Sequence, residues 1–250
     1  MMRHIMIIQS AYPPDRADLS ARRLEITRHT CEVALRTQRL KPIVHVAVCP
    51  DDVHIDARRE MFLSTGCEVR FIERPEWRLY KENWELPAGW KLVSRMDDDD
   101  VLAIDFCESI QATARQAREA LLWPAGYTFW RQQIHLLRHP GNQFPTLCTD
   151  ANEDPHQIRH WEIPTTWPSR IVSESPGWIW VRHGDAATST LPRYRRKLLK
   201  RIDADRFGCN LRAIVRACEP SGVPSGNYHE HRSPHIKYVL QENANAQRSG

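Results

Sequence analysis

The chain has 250 residues, 41% apolar and 26% charged, proportions that exclude wholesale disorder and fibrous classes and suffice for one sizeable core. A net charge of +4 permits an anionic partner but lies far below the basic excess of a dedicated nucleic-acid binder. The seven cysteines are scattered with no CxxC pair, which predicts reduced thiols, and no stretch approaches the roughly 18 apolar residues of a membrane span.

In chain order, His4 to Ser10 (HIMIIQS) is rich in branched apolar residues and is stopped by Pro13-Pro14, predicting a first strand. That run is too short for a secretory signal core, so a soluble, cytoplasmic protein is expected. From Leu19 to Gln38, Leu24, Cys31 and Leu35 recur at helical spacing among arginines, predicting a helix packed on one face. IVHVAVCP, starting at Ile43, is a near-continuous apolar run of the kind a parallel sheet buries on both faces. A short helix over DARREMFLST, a stop at Gly66 and a strand CEVRFIE follow. After a connection holding Trp77, Trp84 and Trp90 come KLVSRM as a fourth strand and Val101 to Leu122 as a helix ending before Pro124. Beyond Trp123 the periodicity weakens among prolines until GWIWVRHGD predicts one more strand. This order predicts an α/β fold: a Rossmann-like, mostly parallel central sheet with helices on both faces and ligands beyond the carboxyl ends of its strands.

At one such end stand Asp97, Asp98, Asp99 and Asp100, whose mutual repulsion is costly wherever water is partly excluded. Three readings compete. Asp99 or Asp100 could cap the helix expected at Val101, since aspartate at an N-cap accepts backbone N–H bonds and suits the helix dipole. The run could be a solvated charge cluster. Or it could hold a divalent cation, magnesium or manganese, whose preferred ligands are carboxylate oxygens completed by a substrate's phosphates.

KLVSRMDDDDVL, an extended stretch running into Asp-x-Asp-Asp, resembles the DXD motif of nucleotide-sugar-dependent glycosyltransferases of the GT-A fold, and its wording is most similar to the rhamnosyltransferase-like group. RHTCEVALRTQRLKPIVHVAVCPDD is similar to that class's N-terminal helix and second strand, although Ala34 stands where a serine is expected. SRIVSESPGWIWVRHGDAATST resembles the later segment carrying a Glu, an aromatic strand and His-Gly-Asp, here Glu174, His183, Gly184 and Asp185. The resemblance covers about residues 4 to 190.

It implies a GT-A-like fold and sugar transfer from a nucleotide diphosphate, in which a metal bridging the phosphates offsets the charge on the leaving group. Asp97 and Asp99 project to one side of an extended segment. Asp99 is then the direct metal ligand, Asp97 contacts the ribose or the metal shell, Asp98 is the reserve if the register differs by one, and Asp100 caps the helix. His183 is the implied third ligand, although a buried, satisfied histidine is the ordinary alternative. Arg95 either pairs with the acids or approaches the nucleotide, lowering their pKa values in both cases. A carboxylate base would take the acceptor's proton, with Glu174 favoured by position and Glu153 or Asp154 in ANEDPH as rivals. By fold analogy Gln9, Ser10 and Ala11 line the base pocket, and Arg22 and Arg23 reach phosphates or simply sit on the helix surface.

Two further clusters stand apart from the motif. RYRRKLLKR packs six basic residues into positions 193–201 beside Leu198, Leu199 and Ile202, which predicts a basic amphipathic helix. Ordinarily such a face is only solvated, but it would dock a nucleic-acid or lipid-linked acceptor. His229, His231 and His235 fit no zinc spacing. The expected organisation is a core over 1–190, a basic helical or loop extension packed on it over 191–240, and a tail over 241–250. The expected function is a metal-dependent glycosyltransferase using a nucleotide-sugar donor and an unidentified glycan, lipid-linked or nucleic-acid acceptor. The alternatives are a transferase acting on a modified DNA base and a non-catalytic nucleotide- or metal-binding protein of the same fold.

Overall fold

The structure, a computed structural model, describes residues 3–12, 14–74, 86–130, 133–151, 158–183, 196–199 and 202–218. Trp77, Trp84, Glu153, Asp154, Gly184, Asp185, the three histidines at 229, 231 and 235, and the tail 241–250 lie outside the described residues.

The apolar runs of the first hundred residues form strands Arg3–Gln9 (β1), Ile43–Val48 (β2), Glu68–Glu73 (β3) and Lys91–Asp97 (β4). Three helices, Ala17–His29 (α1), Cys31–Thr37 (α2) and Ile55–Leu63 (α3), lie between the first three strands. The single helix expected over Leu19 to Gln38 is two. Thr30 leaves helical geometry (φ −120°, ψ −92°) and its hydroxyl donates to the Ile26 carbonyl. Gly66, at φ 72°, supplies the left-handed turn after α3.

The helix expected over Val101 to Leu122 does not form as such. That stretch holds a short strand Val101–Leu102 (β5), a helix Phe106–Thr113 (α4) and a strand Glu119–Leu122 (β6). Asp100 caps nothing, because its carboxylate accepts the Val181 N–H at 2.9 Å and so helps hold the adjacent residues extended. Arg118, at φ 61°, donates its N–H to the Cys148 carbonyl and swings the chain into β6. Strands Ala125–Trp130 (β7), Gln133–Arg138 (β8) and Thr146–Thr149 (β9) follow, then helix Ile163–Thr166 (α5) and strands Ser169–Ile171 (β10) and Trp178–Arg182 (β11). Arg196–Leu199, the described part of the basic segment, is a strand (β12) antiparallel to β8 and not the expected amphipathic helix, since pairing there satisfies its backbone groups. A last helix, Leu211–Ala217 (α6), packs on α1.

Two sheets result, ordered β10-β6-β9-β4-β1-β2-β3 and β12-β8-β7-β11-β5. The first is parallel except at β9, which runs antiparallel to β4 and β6. On one of its faces Met6, Ile8, Val46 and Leu92 share a core with Leu24, Leu35, Phe62 and Phe106 of the first four helices. The other face carries Ile5, Ile7 and Val93, and on the same side of β9 and β6 Leu147 and Ala120 meet Ile163 of α5. Helices therefore lie on both faces, and the expected α/β class holds. The seven cysteines are all free of disulfides, and among the described residues no helix is long and apolar enough to cross a membrane.

This topology positions the acids. β1 has β2 on one side and β4 on the other, so the strand order reverses at β1, the place where open parallel sheets bind ligands. Gln9 and Asp97 stand in register at the adjacent carboxyl ends, and the chain leaves the first sheet at Asp97 to enter the second at Val101.

Candidate metal centre

The four aspartates have four different environments. Asp98 is fully buried and accepts from Ser10 Oγ at 2.7 Å, Tyr12 Oη at 2.9 Å and Arg23 Nη2 at 2.6 Å, with Arg58 Nη1 3.7 Å away. Its lone pairs are spent within the protein. Arg58, itself fully buried, donates to Ser10 Oγ and Ser20 Oγ, each at 2.9 Å, and to Asp52 at 3.2 Å, and lies 4.6 Å over the Tyr12 ring. This network ties the ends of β1 and β4 to α1 and α3. Burial pushes the Tyr12 hydroxyl's pKa up, against the Arg23 and Arg58 charges and helped by Asp98 and Asp99.

Asp99 lies between the middle of α1 and the end of β11, pairing with Arg23 and with His183 Nε2 at 2.9 Å. Burial would raise its pKa, but the Arg23 charge and the His183 hydrogen bond outweigh it and bring it to about 2. Arg23 Nη1 is also 2.5 Å from His183 Nε2, so the same ring nitrogen faces a donor and an acceptor at the centre of the cluster. Histidine ligates metals through either ring nitrogen, and His183 stands beside the three converging carboxylates rather than among them.

Asp100 is fully buried, bonded to Val181 N–H and at 2.5 Å to Gln143 Nε2. Its pKa is driven well up, first by desolvation and then by Asp99 and Asp97. Asp97 is half-buried, has Arg95 Nη2 at 3.6 Å, and is also raised, chiefly by desolvation.

Asp97, Asp99 and Asp100 each offer an oxygen within 4.8 Å of the others, a donor set suited to a hard divalent cation. The fit is also electrostatic. Arg23 pairs with Asp98 and Asp99, whereas burial first, and then the neighbouring carboxylates, raise the pKa values of Asp97 and Asp100, a shift that a bound divalent cation would oppose.

Asp97, Asp98, Asp99, Arg23, Ser10, Gln9, Arg95 and His183, singled out from the sequence, thus gather at one end of the sheet. Ser10 reaches Asp98 rather than an open pocket. Glu174 is not brought there: it is exposed, pairs with Arg138, and precedes β11 at the end opposite His183. Trp90 is exposed at the start of β4, away from the acids. Tyr12, Arg58 and Gln143 were not legible as site residues. Only Tyr12, just past the first strand, lay where the strand-end rule directs attention.

No family profile matches the chain, and no curated protein matches it. Among solved structures, it is similar to a 4-diphosphocytidyl-2C-methyl-D-erythritol synthase, with TM-score 0.43 and 14% identity over 68% of this chain and 88% of that one. It is similar to the inositol-1-phosphate CTP transferase of T. maritima, with TM-score 0.42 and 8% identity over 72% and 89%. A third is the 4-diphosphocytidyl-2C-methyl-D-erythritol synthase of Anaerococcus prevotii, with TM-score 0.36 and 12% identity over 70% and 87%. None of the three is a glycosyltransferase by name.

Proposed function

We propose that the chain is a metal-dependent glycosyltransferase that moves a sugar from a nucleotide-diphosphate donor to a hydroxyl acceptor. The observation that supports this most is the acid trio at the switch point of the parallel sheet, with His183 Nε2 beside Asp99. A magnesium or manganese ion bound there supplies a Lewis acid for the departing diphosphate.

The chain's own residues have separable tasks in this reading. Asp97 and Asp99 would hold the cation together with Asp100, itself fixed by Val181 and Gln143, and His183 beside Asp99 would be a further ligand. Asp98 anchors the run through Ser10, Tyr12 and Arg23, which keeps its neighbours in place without touching substrate. Gln9, half-buried at the end of β1, lines the nucleotide side. The general base is assigned to Asp154, from the Glu-Asp resemblance of its segment, because Glu174 is committed to Arg138.

The test is manganese-dependent release of nucleoside diphosphate from a panel of sugar nucleotides. Turnover by the wild type, reduced at least about a hundredfold in Asp99→Asn, supports the reading. Nucleotide and manganese binding without turnover on any donor identifies a non-catalytic binding protein instead.

A further inference from the structure

One charged side chain at the site is left incompletely used. Arg95 stands on β4 two residues before Asp97 and on the same face, with its side chain only 9% exposed. Its nearest carboxylate contact is a single one, Nη2 to Asp97 Oδ1 at 3.6 Å. Arginine pairs carboxylates best through two parallel N–H bonds at about 2.7–2.9 Å, so Asp97 does not consume this fork. Nε is buried and has no hydrogen-bond partner among the described residues. A buried donor left unmade is unfavourable, and each such group calls for an explanation.

Among the described residues no second acid pairs with Arg95. His160, whose Nδ1 is 2.5 Å from the Gly141 carbonyl, is held neutral by burial and by the Arg95 charge, its pKa lowered to about 3. We propose that Arg95 forms a subsite for an oxyanion, a phosphate or carboxylate, carried by the acceptor. This rests on the transferase reading for the word acceptor, but not for the oxyanion. The acceptor is the better source because a donor diphosphate belongs on the cation held by Asp97 and Asp99, whereas Arg95 sits roughly 7 Å back along the strand. The metal would also offset the repulsion between the incoming oxyanion and Asp97.

Inorganic phosphate, glycerol 3-phosphate and glucuronate, titrated calorimetrically into the protein saturated with magnesium, test the subsite and separate phosphate from carboxylate. At least one is expected to bind one to one, about tenfold or more weaker in Arg95→Met and at an intermediate strength in Arg95→Lys. Thermal melts establish that each variant is folded, and the lysine variant decides if the methionine variant is not. Binding by none of the three probes, or binding that neither variant weakens, overturns the subsite. Binding is further expected to persist with manganese and a nucleoside diphosphate at saturation, and competitive displacement by them gives the oxyanion to the donor and overturns its assignment to the acceptor. Absence of sugar-nucleotide turnover alongside an intact Arg95-dependent probe site removes the transferase reading alone.

Discussion

Adjacent aspartates in one run divide into those that hold the protein together and one that faces outward. Asp98 is a buried ion paired with Arg23 and near Arg58, so removing it leaves those two buried guanidinium groups with one carboxylate each, Asp99 and Asp52, and takes away the acceptor of Ser10 and Tyr12. Asp98→Ala is expected to cost about 3–5 kcal/mol in chemical denaturation. Asp97→Ala, at a half-buried position with one long contact, is expected to change stability by less than about 1 kcal/mol while weakening manganese binding about tenfold or more, read by calorimetry. The sequence offered a cation site as one of three readings of this run, which the family resemblance then favoured, yet could not tell Asp98 from its neighbours. That distinction depends on Ser10, Tyr12 and Arg23, which lie 75 or more positions away along the chain. Arg58 and Gln143 stayed hidden for the same reason, since a polar network assembled from distant segments leaves no local period.

The strands of the first hundred residues were legible because runs such as IVHVAV are buried on both faces and uninterrupted. The second half was not. Its strands β5, β6, β9 and β10 have only two to four residues each, and in Val101 to Leu122 two of them, β5 and β6, flank a helix of eight residues, too little for any one period to stand out. What fixes that region is tertiary packing of tryptophans on glycines. A Cβ added at Gly126 of β7 would lie 2.1 Å from the Trp178 ring, and one at Gly177 would lie 2.2 Å from Trp123. Trp178 and Trp123 are fully buried, so neither ring can swing aside. Gly126→Ala is therefore expected to lower stability by about 3 kcal/mol, measured by urea denaturation, with a far smaller effect for Ala at an exposed strand position such as Arg70.

Across the whole molecule, several imidazoles are folded away in neutral form. Burial lowers His4 and His139 to about 4 and His160 to about 3, against an ordinary value of 6.5. Unfolding lets each take up a proton below 6.5, so stability is expected to fall as pH drops through that value toward 4, by up to about 1.4 kcal/mol per pH unit for each fully desolvated ring. Asp99 works with the opposite window: its depressed pKa stabilises the fold above the unfolded value of 3.8 and is lost only as pH approaches about 2. Melting temperatures from pH 7.5 to 4.5 should thus decline before any loss from Asp99 begins. The acid run is also the covalent crossing from one sheet to the other, with Asp97 ending β4 and Val101 opening β5. A cation clasped on both sides of that crossing would act as a rivet, and by reciprocity whatever alters the angle between the sheets would alter how tightly the ion is gripped. Manganese should accordingly slow amide exchange at Val181 and along β5, and a substitution that loosens the seam far from any carboxylate should let the ion escape.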